Sequence, residues 1–145
     1  MITVYIGFDS NQKEAFNVCK YSIKKNSNES IKIFPLMKDF LINSDLYYRN
    51  EDSNASTEFA FTRFLVPYLN DYQGWAIFCD SDFLWTGDVN ELFKNLNQDI
   101  AVKCVKHNYE PKSNQKMEGK IQTKYPRKNW SSMMVFNCSH SSCKN

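Results

Sequence analysis

Asp80 and Asp82 stand one residue apart at the end of an apolar run, GWAIFCDSDFLW (74–85). In an extended chain, residues i and i+2 face the same way, about 6.6 Å apart. Two carboxylates at that spacing repel by about 2.5 kcal/mol at an effective dielectric near 20. A shared divalent cation reverses the penalty. Oxygen-only donors suit Mg²⁺ or Mn²⁺, which bind through one or two carboxylates and complete their shell with water and substrate phosphates. The plainer alternative is a solvated pair capping the turn toward a helix near Asp88.

Two other Asp-x-Asp chemistries fit less well. A haloacid-dehalogenase-type phosphatase wants Thr or Val where Leu84 stands, and carries its motif nearer the N-terminus. An EF-hand needs a third oxygen ligand and then Gly, at the places of Leu84 and Trp85. Further candidates are weaker. Arg63 lies in a stretch rich in Phe and Leu, where snorkelling to the surface competes with phosphate contact. His107 reads as a surface residue beside Lys106. Cys138, His140 and Cys143 would make a zinc corner only with further ligands. Glu58 reads as a helix-dipole partner.

The elements that must position these residues follow from pattern. ITVYIGFD (2–9) is a strand with its exit loop, and residues 11–25 have helical spacing, with Ala15, Val18, Cys19, Ser22 and Ile23 on one face. IKIFPLM (31–37) is a short strand, with Pro35 pointing to an edge or an irregular end. Residues 38–56 read as loop, and 57–69 as a helix that Pro67 bends or ends. WAIFCDSD is a strand apolar enough for burial on both faces. A short helix over 88–96 and strands over 99–107 and 130–138 complete the set, with a lysine-rich loop over 108–128. Alternating strands and helices predict an α/β fold with a mainly parallel sheet, and such sheets bind ligands at the carboxyl ends of their strands. Asp9 and the Asp80/Asp82 pair fall there.

Composition narrows the field. With 42% hydrophobic and 15% aromatic residues, the chain is too apolar for disorder, and at 145 residues it is one domain long. A net charge of +2 carries no nucleic-acid footprint. No run approaches the ~18 apolar residues of a membrane span, and no signal peptide is visible at MITVYIGFDS. The five cysteines are scattered, four of them in apolar runs, which suits reduced thiols in the cytoplasm.

The stretch TEFAFTRFLVPYLNDYQGWAIFCDSDFLW resembles the central segment of GT-A-fold glycosyltransferases, closest to glycosyltransferase family 8 and related bacterial nucleotide-sugar transferases. In that family a helix with an Arg and a Leu-x-Pro-x-Leu pattern leads into an apolar strand ending in Asp-x-Asp. Here the order is Arg63, FLVPYL and Asp80-Ser81-Asp82. YIGFDSN is similar to the family's first, nucleotide-binding strand, and NWSSMMVFN to its Asn-x-Gly-x-x-x-x-Asn strand, with Ser131 and Ser132 where a Gly is usual.

The resemblance implies a Rossmann-like GT-A domain over 1–145, the N-terminal portion of a longer family domain. It implies a metal-dependent transfer of a sugar, with retention, from a nucleotide-diphosphate sugar (a UDP-sugar) to a glycan, lipid or protein acceptor. Asp80 and Asp82 would bind Mn²⁺ or Mg²⁺, and Ser81 between them would contact the donor. Gly7, Asp9 and Asn11 would lie around base and ribose. Arg63 would reach the donor sugar or its phosphates, and Asn129, Trp130 and Ser131 would line the sugar pocket. The family's third metal ligand, a His in a downstream segment, would lie beyond Asn145, and no catalytic group is identified. The alternatives are a truncated domain that binds nucleotide or a partner without turnover and, further off, the phosphatase.

Overall fold

The computed structural model describes residues 1–50, 55, 57–107 and 128–144, with Lys128 and Asn129 described through their backbone alone. Five strands, β1 (Ile2–Gly7), β2 (Ile31–Leu36), β3 (Trp75–Cys79), β4 (Val102–His107) and β5 (Lys128–Asn137), form one sheet in the order β2-β1-β3-β5-β4. β1 pairs in parallel with both β2 and β3, while β5 runs antiparallel to β3 and to β4. Four strands therefore point the same way and β5 alone is reversed. The carboxyl ends of β1, β3 and β4 and the start of β5 share one edge. The fold is α/β, as the alternation of elements predicts.

The alternation along each strand divides the core in two. Val4, Ile6, Ile77, Cys79 and Val135 face one side, where Phe16, Cys19 and Ile23 of α1 (Lys13–Asn26) cover them. Tyr5, Ala76, Phe78, Met134 and Phe136 face the other, under Phe59 and Val66. Successive side chains of a strand alternate between faces, so β3 must be apolar throughout to serve both. Each fully buried large side chain contributes about 1.5–3 kcal/mol.

Several elements differ from the sequence reading. α1 buries Phe16 in place of Val18, which is exposed. Phe16 meets Phe8 edge-on at 5.5 Å. Residues 38–43, read as loop, form α2 (Lys38–Asn43), anchored by Leu41. The helix expected over 57–69 is broken into turns, a 3₁₀ segment (Thr62–Leu65) and one α-turn, α3 (Val66–Leu69). Pro67 sits in the first turn of α3, where its missing N–H costs nothing. Residues 89–93 are also 3₁₀, capped by Asp88, which accepts from the Asn90 N–H. β3 stops at Cys79, so Asp80–Asp82 lie past the strand and not within it. β2 is an edge strand, as Pro35 requires. The turn-rich residues 51–54 and 56 and the lysine-rich 108–127 lie outside the described residues.

Candidate functional site

β1 reaches the ligand edge at Gly7. A Cβ on Gly7 would lie 2.5 Å from Cγ of Phe59, so only hydrogen fits between strand and ring. Asp9 then folds the exit loop: its Oδ1 accepts the Asn11 N–H at 3.0 Å and its carbonyl accepts the Gln12 N–H at 2.9 Å. This is an Asx turn, and it buries the Asp9 side chain while leaving Asn11 exposed. Ser10 Oγ donates to Glu58 Oε1 at 2.5 Å, tying the loop to the turns ahead of Arg63. Glu58 thus braces the β1 loop, and no helix starts there for it to cap.

Arg63 is buried and engaged on every nitrogen. Nε donates to the Phe59 carbonyl at 3.3 Å, and Nη1 to the Ser131 carbonyl and Oγ at 2.6 and 3.2 Å. Nη2 forms an ion pair with Asp80 Oδ1 at 3.3 Å. The guanidinium lies over the Phe78 ring at 4.7 Å. Burial pulls its pKa below the usual value, and the Asp80 charge opposes that shift. The planar fork joins three separate elements, which a point charge cannot do. Snorkelling to the surface is excluded. Arg63 instead organises the ends of β3 and β5 from beneath.

The pairing of β3 with β5 continues one step past β3, where the Asp80 N–H donates to the Ser132 carbonyl at 2.8 Å. On its other side β5 bulges: Cys104 of β4 pairs with Met134, but Val105 pairs with Trp130. Ser131, Ser132 and Met133 are thereby released from β4. Two of them turn their carbonyls to Arg63 and Asp80. A bulge re-aims a strand locally, and here it aims backbone oxygens into the site.

Asp80 is partly exposed, Asp82 is exposed, and Ser81 between them is buried. The Ser81 hydroxyl has no hydrogen-bond partner among the described residues. The chain after the pair is also held. Phe83 and Trp85 pack on the core, the Trp85 N–H donates to Ser22 Oγ at 3.0 Å, and its carbonyl accepts from Asn26 Nδ2 at 2.8 Å. The aromatic residues after Asp82 therefore pin the loop to α1. Asp88 does the helix capping, with the Asn90 N–H as the main reason its carboxyl lies below the usual range. Among the described residues, the cap of this turn is Asp88 and not the Asp80/Asp82 pair.

Two hard carboxylates at a fixed, solvent-facing loop fit a Mg²⁺ or Mn²⁺ ion that draws its remaining ligands from water and phosphate. Among the described residues, no three His, Cys, Asp or Glu side chains gather as a metal site. His140 Nδ1 accepts the Ser142 N–H at 3.1 Å, capping the 3₁₀ turn Ser141–Cys143 instead of joining Cys138 and Cys143. Beneath the loop, Cys79 lies 3.9 Å from Cys19. That contact and burial push the Cys79 thiol well up, so it remains neutral.

The structure brings Arg63, Asp80, Ser81, Asp82 and Ser131 together, with Trp130 next along β5 and the Gly7–Asn11 loop across β3. The Asn129 side chain lies outside the described residues. Phe59 and the Ser132 carbonyl are additions that the sequence reading missed. Gly7 was the available signal for Phe59, whereas nothing in the sequence marks the bulge.

No protein-family model matches the chain. The chain is 46% identical over 137 residues to Protein CDI of Arabidopsis thaliana, a match that covers 94% of this chain and 53% of that protein. It thus spans about half the length of this curated relative. Among solved structures, the apo bifunctional glycosyltransferase WbbM is similar over 94% of this chain and 31% of its own, at 16% identity and a TM-score of 0.62. Apo-form glycosyltransferase GlyE of Streptococcus pneumoniae TIGR4 is similar over 95% of this chain and 34% of its own, at 14% identity and a TM-score of 0.55. At these identities the likeness is one of fold: the chain has the fold of part of known glycosyltransferase structures. No described helix is long and apolar enough to cross a membrane.

Proposed function

We propose that this chain is the donor-binding part of a metal-dependent glycosyltransferase that moves a sugar from a nucleotide-diphosphate sugar, a UDP-sugar, to a glycan, lipid or protein acceptor. One observation carries the reading. In a fold shared with glycosyltransferase structures, the central strand ends in an exposed carboxylate and an Arg-braced carboxylate, on a loop fixed from both sides. Asp80 and Asp82 would hold Mn²⁺ or Mg²⁺, which when bound supplies Lewis-acid stabilisation of the charge on a departing diphosphate.

The chain's own residues have separable tasks. Arg63 keeps the Asp80 carboxylate and the Ser131 backbone in register, so the site is organised before a donor arrives. Asn11, exposed on the Asx turn, offers an amide toward the nucleoside side. Ser81 keeps the loop compact between the two carboxylates. The family-8 likeness and retention of configuration belong to the same proposal, as does the assignment of Trp130 and Ser131 to the sugar side.

Incubation with UDP-glucose or UDP-galactose and Mn²⁺ tests the reading through release of UDP. Release that needs Mn²⁺ and is lost in Asp82→Asn supports it. A second reading, nucleotide binding without turnover, is favoured by the lack of a third metal-ligating side chain among the described residues. It predicts Mn²⁺-dependent binding of UDP with no release from either sugar nucleotide. Absence of both binding and release contradicts the first reading and the second.

A further inference from the structure

Cys19 of α1 and Cys79 at the end of β3 are both fully buried, with their sulfurs 3.9 Å apart. Cys79 immediately precedes Asp80. Its backbone is paired with Ile6 of β1 on one side and Met133 of β5 on the other, which fixes the strand in place. Cys19 connects instead to the far end of the Asp80–Asp82 loop. Its carbonyl accepts the Ser22 hydroxyl at 2.8 Å, and Ser22 Oγ in turn accepts the Trp85 N–H at 3.0 Å. One turn on, Asn26 Nδ2 donates to the Trp85 carbonyl at 2.8 Å. α1 therefore holds the Trp85 end of the loop, while β3 and Arg63 hold its Asp80 end.

Bonded sulfurs lie about 2.05 Å apart, so this pair is about 2 Å from a disulfide. A displacement of that size is within the ordinary range for one packed helix. A hydroperoxide is the oxidant. The Cys19 sulfur takes one peroxide oxygen as the O–O bond breaks, giving a sulfenic acid and, from hydrogen peroxide, one water. The Cys79 sulfur then attacks the Cys19 sulfur. The S–S bond forms, the S–O bond breaks, and the departing hydroxyl leaves with the Cys79 proton as a second water. Two thiols thus give two electrons to one peroxide. Burial restricts the oxidant to a small molecule that enters as α1 opens locally. The Cys79 contact pulls the Cys19 thiol below its ordinary value, against burial, which suits Cys19 as the sulfur oxidised first.

We propose that Cys19 and Cys79 form a peroxide-sensitive switch, whose disulfide draws α1 toward β3, moves Asp82 relative to Asp80 and disables the metal site between them. The Trp85 end of the loop travels with α1, and the Asp80 end stays with β3. An ion that demands near-octahedral geometry loses affinity when one of two carboxylates shifts. The loss of donor binding rests on the donor-site reading above, whereas the disulfide and the loop movement do not.

The test treats the folded chain with hydrogen peroxide, removes the peroxide, and maps the cysteines by mass spectrometry of unreduced peptides. A cross-linked Cys19–Cys79 peptide should appear, lighter than its two thiol parts by two hydrogens. Amide hydrogen exchange over residues 80–85, read without nucleotide, should quicken in the oxidised chain. UDP affinity with Mn²⁺ should fall about ten-fold or more, and dithiothreitol should restore both, which separates the disulfide from methionine oxidation. Cys19→Ala should bind UDP equally before and after peroxide. Absence of the Cys19–Cys79 peptide, or a cross-linked chain whose loop exchange is unchanged, overturns the switch. Unchanged UDP affinity in the cross-linked chain overturns its control of the metal site. Failure of the reduced chain to bind UDP with Mn²⁺ overturns the donor-site reading, and with it the proposed control of donor binding, while peptide map and exchange still decide the disulfide and the loop.

Discussion

Arg63 links the turn at Phe59, the start of β5 and the loop after β3 through one side chain. The family resemblance implies that it reaches the donor sugar or its phosphates, and its nitrogens are engaged by Phe59, Ser131 and Asp80. Arg63→Lys keeps the charge but loses the fork, and should lower unfolding stability by about 2 kcal/mol in urea. A change below about 0.5 kcal/mol would contradict its role as organiser. Gly7→Ala should cost about 1–3 kcal/mol, because the added methyl meets the Phe59 ring. Gly7→Ala combined with Phe59→Leu should recover part of that loss, a coupling that a double-mutant cycle reads directly. Purely additive losses would show that the ring is not the obstacle.

At the scale of elements, what the sequence disclosed depended on whether burial or local geometry decided the outcome. β1, β3 and α1 are set by long apolar patterns and were legible. The 57–69 stretch was not: its apolar spacing is helical, but Phe59 must pack under Gly7 and Arg63 must span to β5, and these tertiary demands break the helix into turns. β3 ends at Cys79 although the sequence pattern carried it to Asp82, and past Cys79 the backbone hydrogen bond from Asp80 to Ser132 continues the pairing. The bulge in β5 coincides with the contacts of Ser131 and Ser132 to Arg63 and Asp80, partners far apart in the chain that leave no local signal. The face under α3 also carries a pH dependence. Tyr5 donates to the Leu69 carbonyl at 2.9 Å, and burial pushes its phenol up to about 12. Burial likewise pushes the Cys138 thiol up to about 12. Both groups are neutral in the folded state and lose protons more readily when unfolded. Their contribution is present below the ordinary values of 9.0 and 10.0 and is lost as pH rises toward 12. The urea midpoint should therefore fall through that alkaline window, and Cys138→Ala should make the fall shallower. An unchanged slope in the variant would contradict this.

For the whole molecule, topology matters more than any one motif. Strand order places the β1 loop, the Asp80–Asp82 loop and the start of β5 in sequence along one edge. An Asp-x-Asp triplet alone is weak. It gains meaning from lying at the central strand of this sheet, in a fold shared with WbbM and GlyE. The edge was legible because an apolar strand followed by acidic residues marks where a covered sheet meets solvent. The joint brace of Arg63, Ser131 and Asp80 was not, since it links positions far apart in the chain. We propose that this edge holds a metal–diphosphate pair through Asp80 and Asp82. Calorimetric titration of UDP into the wild-type chain and into the Asp80→Asn/Asp82→Asn variant, each with and without Mn²⁺, decides this. The wild type should bind UDP only with Mn²⁺, and the folded variant should not bind it. UDP binding of equal strength in the variant, or without Mn²⁺, would contradict it.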